Sequence, residues 1–103
     1  FVLPSVAVEA FPVAVVEAMA CGLPVVVTAL PGPASMIEGA GVVVPIHDPQ
    51  ALADALKALL ASASRREELG KRARALVESG LTWDIIGRKL ESIYQRVISQ
   101  QKL

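Results

Sequence analysis

The chain has 103 residues, ten basic and ten acidic side chains, one histidine, one cysteine and a formal net charge of zero. A lone cysteine, Cys21, excludes an internal disulfide and fits a reducing, cytoplasmic setting, and the balanced charge gives no case for a nucleic-acid partner. At this length the chain is at most one domain, able to bury about 60 to 65% of the surface its unfolded form exposes.

The charges are unevenly placed. Residues 1–46 hold only Glu9, Glu17 and Glu38 and no Lys or Arg, whereas residues 47–103 hold ten basic against seven acidic side chains. Glu9, Glu17 and the Pro/Gly pairs interrupt every apolar run well short of the 18 residues that would suggest a membrane span. The leading residues also lack the basic stretch of a signal peptide. With one His and one Cys far apart, no metal cluster is expected. The apolar residues of 1–46 are more than so short a segment covers by itself, so a packing neighbour is expected.

Phe1-Val2-Leu3-Pro4 reads as a buried strand that begins without a polar lead-in, so the chain is expected to start inside a larger domain. Ser5 to Phe11 form the loop leaving it. Pro12 is expected at the first helical position, where its fixed φ fits and its missing N–H is not needed. Val13 to Ala20 continue as a helix apolar on nearly every side, closed by Cys21-Gly22-Leu23-Pro24. Val25 to Thr28 are a second strand, β-branched and unalternating, as in a parallel sheet covered on both faces. Leu30 to Pro33 read as a turn-rich loop, Ala34 to Glu38 as one or two helical turns, and Val42 to Val44 as a third strand.

The remainder is helical. Asp48 is an N-cap before Pro49, with Leu52, Leu56, Leu59 and Leu60 on one face. Ser64 to Glu67 match a capping box that opens a helix with Leu69, Ala73, Leu76 and Val77 on its apolar side, ending at Gly80. Thr82 caps a last helix striped by Ile86, Leu90, Ile93, Tyr94 and Val97, with Trp83 expected to anchor it to the core. The order β-α-β-(short α)-β-α-α-α predicts an α/β fold, three short parallel strands followed by three helices, with right-handed crossovers. Residues 1–46 form the ligand-side core and residues 47–103 the helical part.

In open α/β sheets ligands bind beyond the carboxyl ends of the strands, against helix N-termini whose unpaired N–H groups attract anions. The Glu9 to Val13 segment occupies that position. The amides of Phe11, Val13 and Ala14 are candidates for a diphosphate, and Pro12 contributes no donor. Glu17 lies roughly 7 to 8 Å further along the helix axis and leans back toward its start, so Glu9 and Glu17 are expected to border one pocket. Ionised carboxylates accept hydrogen bonds from paired hydroxyls, which suits a ribose diol or a sugar. Spacing alone leaves a second reading open, with Glu9 a solvated loop residue and Glu17 on the exposed side of an ordinary helix.

Glu9-Ala-Phe-Pro-Val-Ala-Val-Val-Glu17, followed by Ala-Met-Ala-Cys-Gly-Leu-Pro-Val-Val-Val-Thr, resembles the Glu-x7-Glu signature of retaining, nucleotide-sugar-dependent glycosyltransferases of the GT-B fold, the glycosyl transferases group 1 family. Pro31-Gly32 falls where that family has a Gly-Gly loop. Val42 to Pro45 with Asp48, and Leu69-Gly70, Ala73-Arg74 and Thr82-Trp83, extend the resemblance over essentially the whole chain. It implies a partial Rossmann-like fold, the second half of the C-terminal donor-binding domain of a hexosyltransferase-type enzyme. It further implies that Glu9 lies beside the transferred sugar as the catalytic position, that Ala10, Phe11, Pro12 and Val13 contact sugar and diphosphate, and that Glu17 binds the ribose hydroxyls. No metal or other cofactor is implied, because amides and basic side chains neutralise the leaving diphosphate.

The acceptor, a sugar or a lipid, would sit on an N-terminal domain, and the family's diphosphate-binding basic residues would lie upstream, so little transfer is expected from this stretch alone. The sequence departs from the family pattern at Ala10 and Pro12, where glycines are common, and at Pro33-Ala34-Ser35, where Ser35 stands for a typical glutamate. Arg65, Arg66, Lys71, Arg72 and Arg74 read as the wet face of a helix interleaved with Glu67, Glu68 and Glu78, although peripheral membrane association occurs in the family. Cys21 and His47 read as structural and loop residues. A bare edge on the first strand predicts a homodimer through residues 1–30. The alternative function is a non-catalytic nucleotide-binding or protein-interaction module on the same fold.

Overall fold

The computed structural model describes residues 1–37 and 39–101. Three strands, β1 (Val2–Leu3), β2 (Val26–Thr28) and β3 (Val42–Val44), form a parallel sheet in the order β1-β2-β3. Val2 pairs with Val26 and Leu3 with Val27, and Val26, Val27 and Thr28 pair with Val42, Val43 and Val44. The helices are α1 (Val13–Ala20), α2 (Pro31–Ile37), α3 (Pro49–Leu60), α4 (Ala63–Gly80) and α5 (Trp83–Gln100). This is the α/β order expected.

The unalternating valines divide between two cores. Val25 and Val27 join Val15, Ala18, Met19, Ile37, Ala73 and Val77 on one face, whereas Val26 joins Val44, Leu59 and Leu69 on the other. Successive strand side chains point to opposite faces, so a sheet covered on both sides must be apolar at every position. Each fully buried valine contributes about 1.5 to 3 kcal/mol of transfer free energy. Helix α4 serves both cores, through Leu69 on one side and Ala73 and Val77 on the other. Its approach to α1 is close, because a Cβ on Gly70 would overlap the carbonyl oxygen of Gly22.

Gly22 ends α1 as expected, with φ +73°. Gly22 N donates to the Met19 carbonyl at 2.9 Å and Leu23 N to the Ala18 carbonyl at 3.1 Å, the paired bonds of a Schellman stop. Asp48 caps α3 by accepting from Ala51 N at 2.9 Å, and Thr82 caps α5 by accepting from Ile85 N at 3.3 Å.

Several expectations are corrected. Pro12 is not the first helical residue but the N-cap of α1, extended at ψ 102°. Helix α2 starts at Pro31, inside the expected loop. Prolines suit its first turn because the amides there have no intrahelical acceptor. The expected last residue of that helix, Glu38, lies outside the described residues. The cap of α4 is Ser62 rather than Ser64: Ser62 is extended and its Oγ accepts from Arg65 N at 3.2 Å, whereas Ser64 is already helical. Leu60 points to solvent, with Leu59 taking the buried place in its turn. Trp83 does not anchor α5: it is 87% exposed, and no residue of that helix is buried. The stripe of Ile86, Leu90, Ile93, Tyr94 and Val97 therefore faces outward from a molecule 62 Å long.

Two arginines of α4 tie neighbouring helix ends together. Arg66 donates to the carbonyls of Leu59 and Leu60 at the end of α3, at 2.7 and 2.8 Å. Arg74 donates to the Ala20 carbonyl at the end of α1 at 2.9 Å and pairs with Glu78 at 2.7 Å. A cation on the unpaired carbonyls of a helix C-terminus satisfies them and opposes the dipole. Replacing Arg74 with alanine is expected to lower stability by about 1 kcal/mol, read as a lower urea midpoint. Lys71→Ala, which removes only the exposed pair with Glu67, is expected to cost about 0.5 kcal/mol or less.

Candidate functional site

The loop between β1 and α1 leaves the carboxyl end of the sheet and is pinned from two sides. Thr28, at the end of β2 and only 4% exposed, donates its hydroxyl to the Ser5 carbonyl at 2.5 Å. Gly32 in the first turn of α2 lies so close to the loop that a Cβ would overlap the carbonyl oxygens of Glu9 and Ala10. The tight approach explains why a glycine stands at this position between two prolines.

Within that loop Glu9 is half-buried, and its Oε1 accepts from Ser5 Oγ at 3.2 Å. It lines a cleft of about 370 Å3 with Val6, Ala7, Val8, Leu30, Pro31 and Gly32. On the other side of Gly32 a second hollow of about 310 Å3 is bordered by Ala10, Phe11, Ser35, Met36 and the end of α4. Ligand pockets commonly run from about 300 to 1,000 Å3, so each hollow is at the small end of that range.

Pro12 is buried and gives α1 no side-chain cap, so among the described residues the first amides of the helix, those of Val13 and Ala14, have no capping side chain. Val15 N turns back to the Pro12 carbonyl at 3.1 Å. Along α1, Val15, Ala18 and Met19 enter the core, leaving Val13, Ala14 and Glu17 on the exposed side. Glu17 thus sits one turn beyond the open amides, on the same exposed side of the helix. It is not among the residues that line the cleft of Glu9, as the expected common pocket would require. Phe11 and Val13 are 53% and 57% exposed, an apolar surface beside these polar groups.

The other residues weighed from sequence fall away from this place. Cys21 is an exposed helix cap. His47 is in the loop before Asp48 with φ 54°. Lys71, Arg72 and Arg74 pair with Glu67, Glu68 and Glu78, and Arg66 caps α3. Among the described residues no group of three or more His, Cys, Asp or Glu side chains is gathered as a metal would require, and no helix is long and apolar enough to cross a membrane. Sequence reasoning missed Ser5 and Thr28; the signal available was a hydroxyl ending an otherwise all-valine strand.

Comparison with known proteins gives the family. The family described as Glycosyl transferases group 1 matches residues 1–76. A putative colanic acid biosynthesis glycosyltransferase, WcaL of Escherichia coli, is 41% identical over 105 residues, covering 92% of this chain and 25% of that protein. A GDP-mannose-dependent monoacylated alpha-(1-6)-phosphatidylinositol monomannoside mannosyltransferase of Corynebacterium glutamicum is 36% identical, over 85% of this chain and 23% of that protein. Sucrose-phosphate synthase from Thermosynechococcus elongatus superposes with a TM-score of 0.89 at 33% identity, over 97% of this chain and 25% of that one. The chain belongs to the glycosyl transferases group 1 family and has the α/β arrangement of GT-B glycosyltransferases. It spans about a quarter of the length of the relatives it matches.

Gly32→Ala is expected to push the Glu9–Ala10 backbone aside while the sheet persists. Hydrogen exchange should then rise at Val8 to Phe11 and stay slow at Val26 and Val27; unchanged exchange in the loop would show that it does not depend on Gly32.

Proposed function

We propose that this chain is the donor-side part of a retaining glycosyltransferase, the second half of its C-terminal nucleotide-sugar-binding domain. In transfer the bond from the sugar anomeric carbon to the diphosphate oxygen breaks, the acceptor oxygen bonds to that carbon in its place while its hydroxyl proton passes to the leaving diphosphate, and negative charge grows on that diphosphate as the bond breaks. The observation that carries this reading is the uncapped start of α1, with Glu9 braced just before it and Glu17 on its exposed side. The amides of Val13 and Ala14 and the positive end of the helix dipole stabilise the departing diphosphate. Glu9 accepts from hydroxyls of the transferred sugar as the catalytic position. Ala10, Phe11 and Pro12 border sugar and diphosphate, and Glu17 accepts from the ribose diol.

Membership of the family and the GDP-mannose dependence named for the Corynebacterium glutamicum relative support a nucleotide-sugar donor. The amides at the start of α1 oppose the charge of the leaving diphosphate, so the reading invokes no metal. The acceptor, a sugar or a lipid, and any peripheral membrane association belong to the rest of a longer, cytoplasmic protein. For the 103 residues by themselves the reading includes association of two copies through residues 1–30, since among the described residues β1 is paired only with β2, and Phe1, Phe11, Val13 and Leu23 are exposed. Light scattering on that stretch at micromolar concentration should give twice the chain mass, and a monomer refutes it.

The main test uses the full-length protein. Calorimetry with UDP and GDP is expected to show binding of one or both, weakened by about tenfold to a hundredfold in Glu17→Ala, the loss of a hydrogen bond to a charged group. Glu9→Ala should lower kcat by about 10²- to 10³-fold. Nucleotide binding without transfer in the unsubstituted protein would instead favour the non-catalytic module.

A further inference from the structure

A glutamate side chain has three rotatable bonds and, on a loop, no secondary structure to orient it. Glu9 nevertheless has a defined neighbour. Ser5 Oγ donates to Glu9 Oε1 at 3.2 Å, and the Ser5 carbonyl accepts from Thr28 Oγ1 at 2.5 Å. Thr28 is the one polar side chain among the buried residues of the described chain, and it ends the central strand, where its backbone pairs with Val44. A hydroxyl in such a position needs an acceptor, and the Ser5 carbonyl supplies it. The backbone of Glu9 is held separately, by the close approach of Gly32.

We propose that Ser5 is a positioning residue for the carboxylate of Glu9, anchored to the sheet by the buried hydroxyl of Thr28; this rests on the donor-site reading of Glu9 above. The hydroxyl-to-carboxylate bond is charge-assisted, and it claims one oxygen of Glu9 while leaving Oε2 for a ligand hydroxyl. The relay runs from the rigid centre of the sheet, through Thr28 and Ser5, to a carboxylate that must meet a sugar in one orientation. Holding a reacting group in register raises turnover more than it raises affinity, because the gain is realised in the transition state.

Steady-state transfer by the full-length enzyme tests this. Ser5→Ala should lower kcat about tenfold with the donor KM changed by no more than about twofold, and Ser5→Thr, which keeps a hydroxyl, should recover kcat to within about threefold of the unsubstituted enzyme. Thr28→Val, nearly isosteric but without the donor, should reproduce the fall in kcat, and thermal melting of each variant confirms that it folds. In a Glu9→Ala background, Ser5→Ala should add nothing to the loss. Unchanged kcat in Ser5→Ala, or the same tenfold fall when Glu9 is already alanine, overturns the positioning role alone. Full turnover in Glu9→Ala overturns the donor-site reading, and the positioning role with it.

Discussion

The bond from Thr28 to the Ser5 carbonyl joins the central strand of the sheet to the loop that carries Glu9. Strand β1 is only two residues long and the loop that follows has no strand or helix of its own until α1. Without a tether to β2, that loop would be placed only by its ends, and its closure entropy would favour many paths. The buried hydroxyl selects one, and the missing side chain of Gly32 lets α2 close against the other side. Two small features of the sheet's carboxyl edge therefore decide where Glu9 and the first amides of α1 are found.

The helices on both faces hold that edge in place. The valines of β2 divide between two cores, and α4 reaches both, so the sheet cannot tilt without disturbing each. Glycine at positions 22 and 70 brings α4 against the end of α1, and Arg74 closes the carbonyl end of the same helix. Helix α1 is thereby fixed at its far end by a cation and a Schellman stop, while its near end keeps amides without a partner. A helix finished at one end and open at the other presents its positive dipole end, which favours negative charge nearby.

The basic residues show how charge can be misread along a chain. Five cations within residues 65–74 resemble a patch for phosphate or a membrane surface, but two of them close helix ends and three form i,i+4 pairs, Arg74 doing both. Four of these five cations, all but Arg65, are thus engaged in ties between helices or in pairs along α4. The loop before α1 and the helix itself, by contrast, carry no Lys or Arg, and their polar groups are Ser5, Glu9, Glu17 and backbone amides.

The residues by themselves determined the element order, the parallel sheet and the Glu-x7-Glu pattern, because those depend on local rules: runs of β-branched residues, Pro and Gly at helix ends, and the fixed spacing of two carboxylates. The caps at Asp48 and Thr82 and the stop at Gly22 were legible for the same reason. The cap at Ser62 was not legible, since Ser64 fits the same capping pattern and a cap depends on where the first turn closes. Trp83 was misjudged because burial belongs to the neighbour that supplies it, and α5 finds none in this stretch. Only the tertiary structure decided that Glu9 is braced by Ser5, that Gly32 crowds its backbone, and that Glu17 stands on the open side of α1 outside Glu9's cleft. The approach of Gly32 joins segments far apart in the chain, the place of Glu17 is settled by the angle of a helix, and the Ser5–Glu9 bond depends on an irregular loop path, so no periodicity records them.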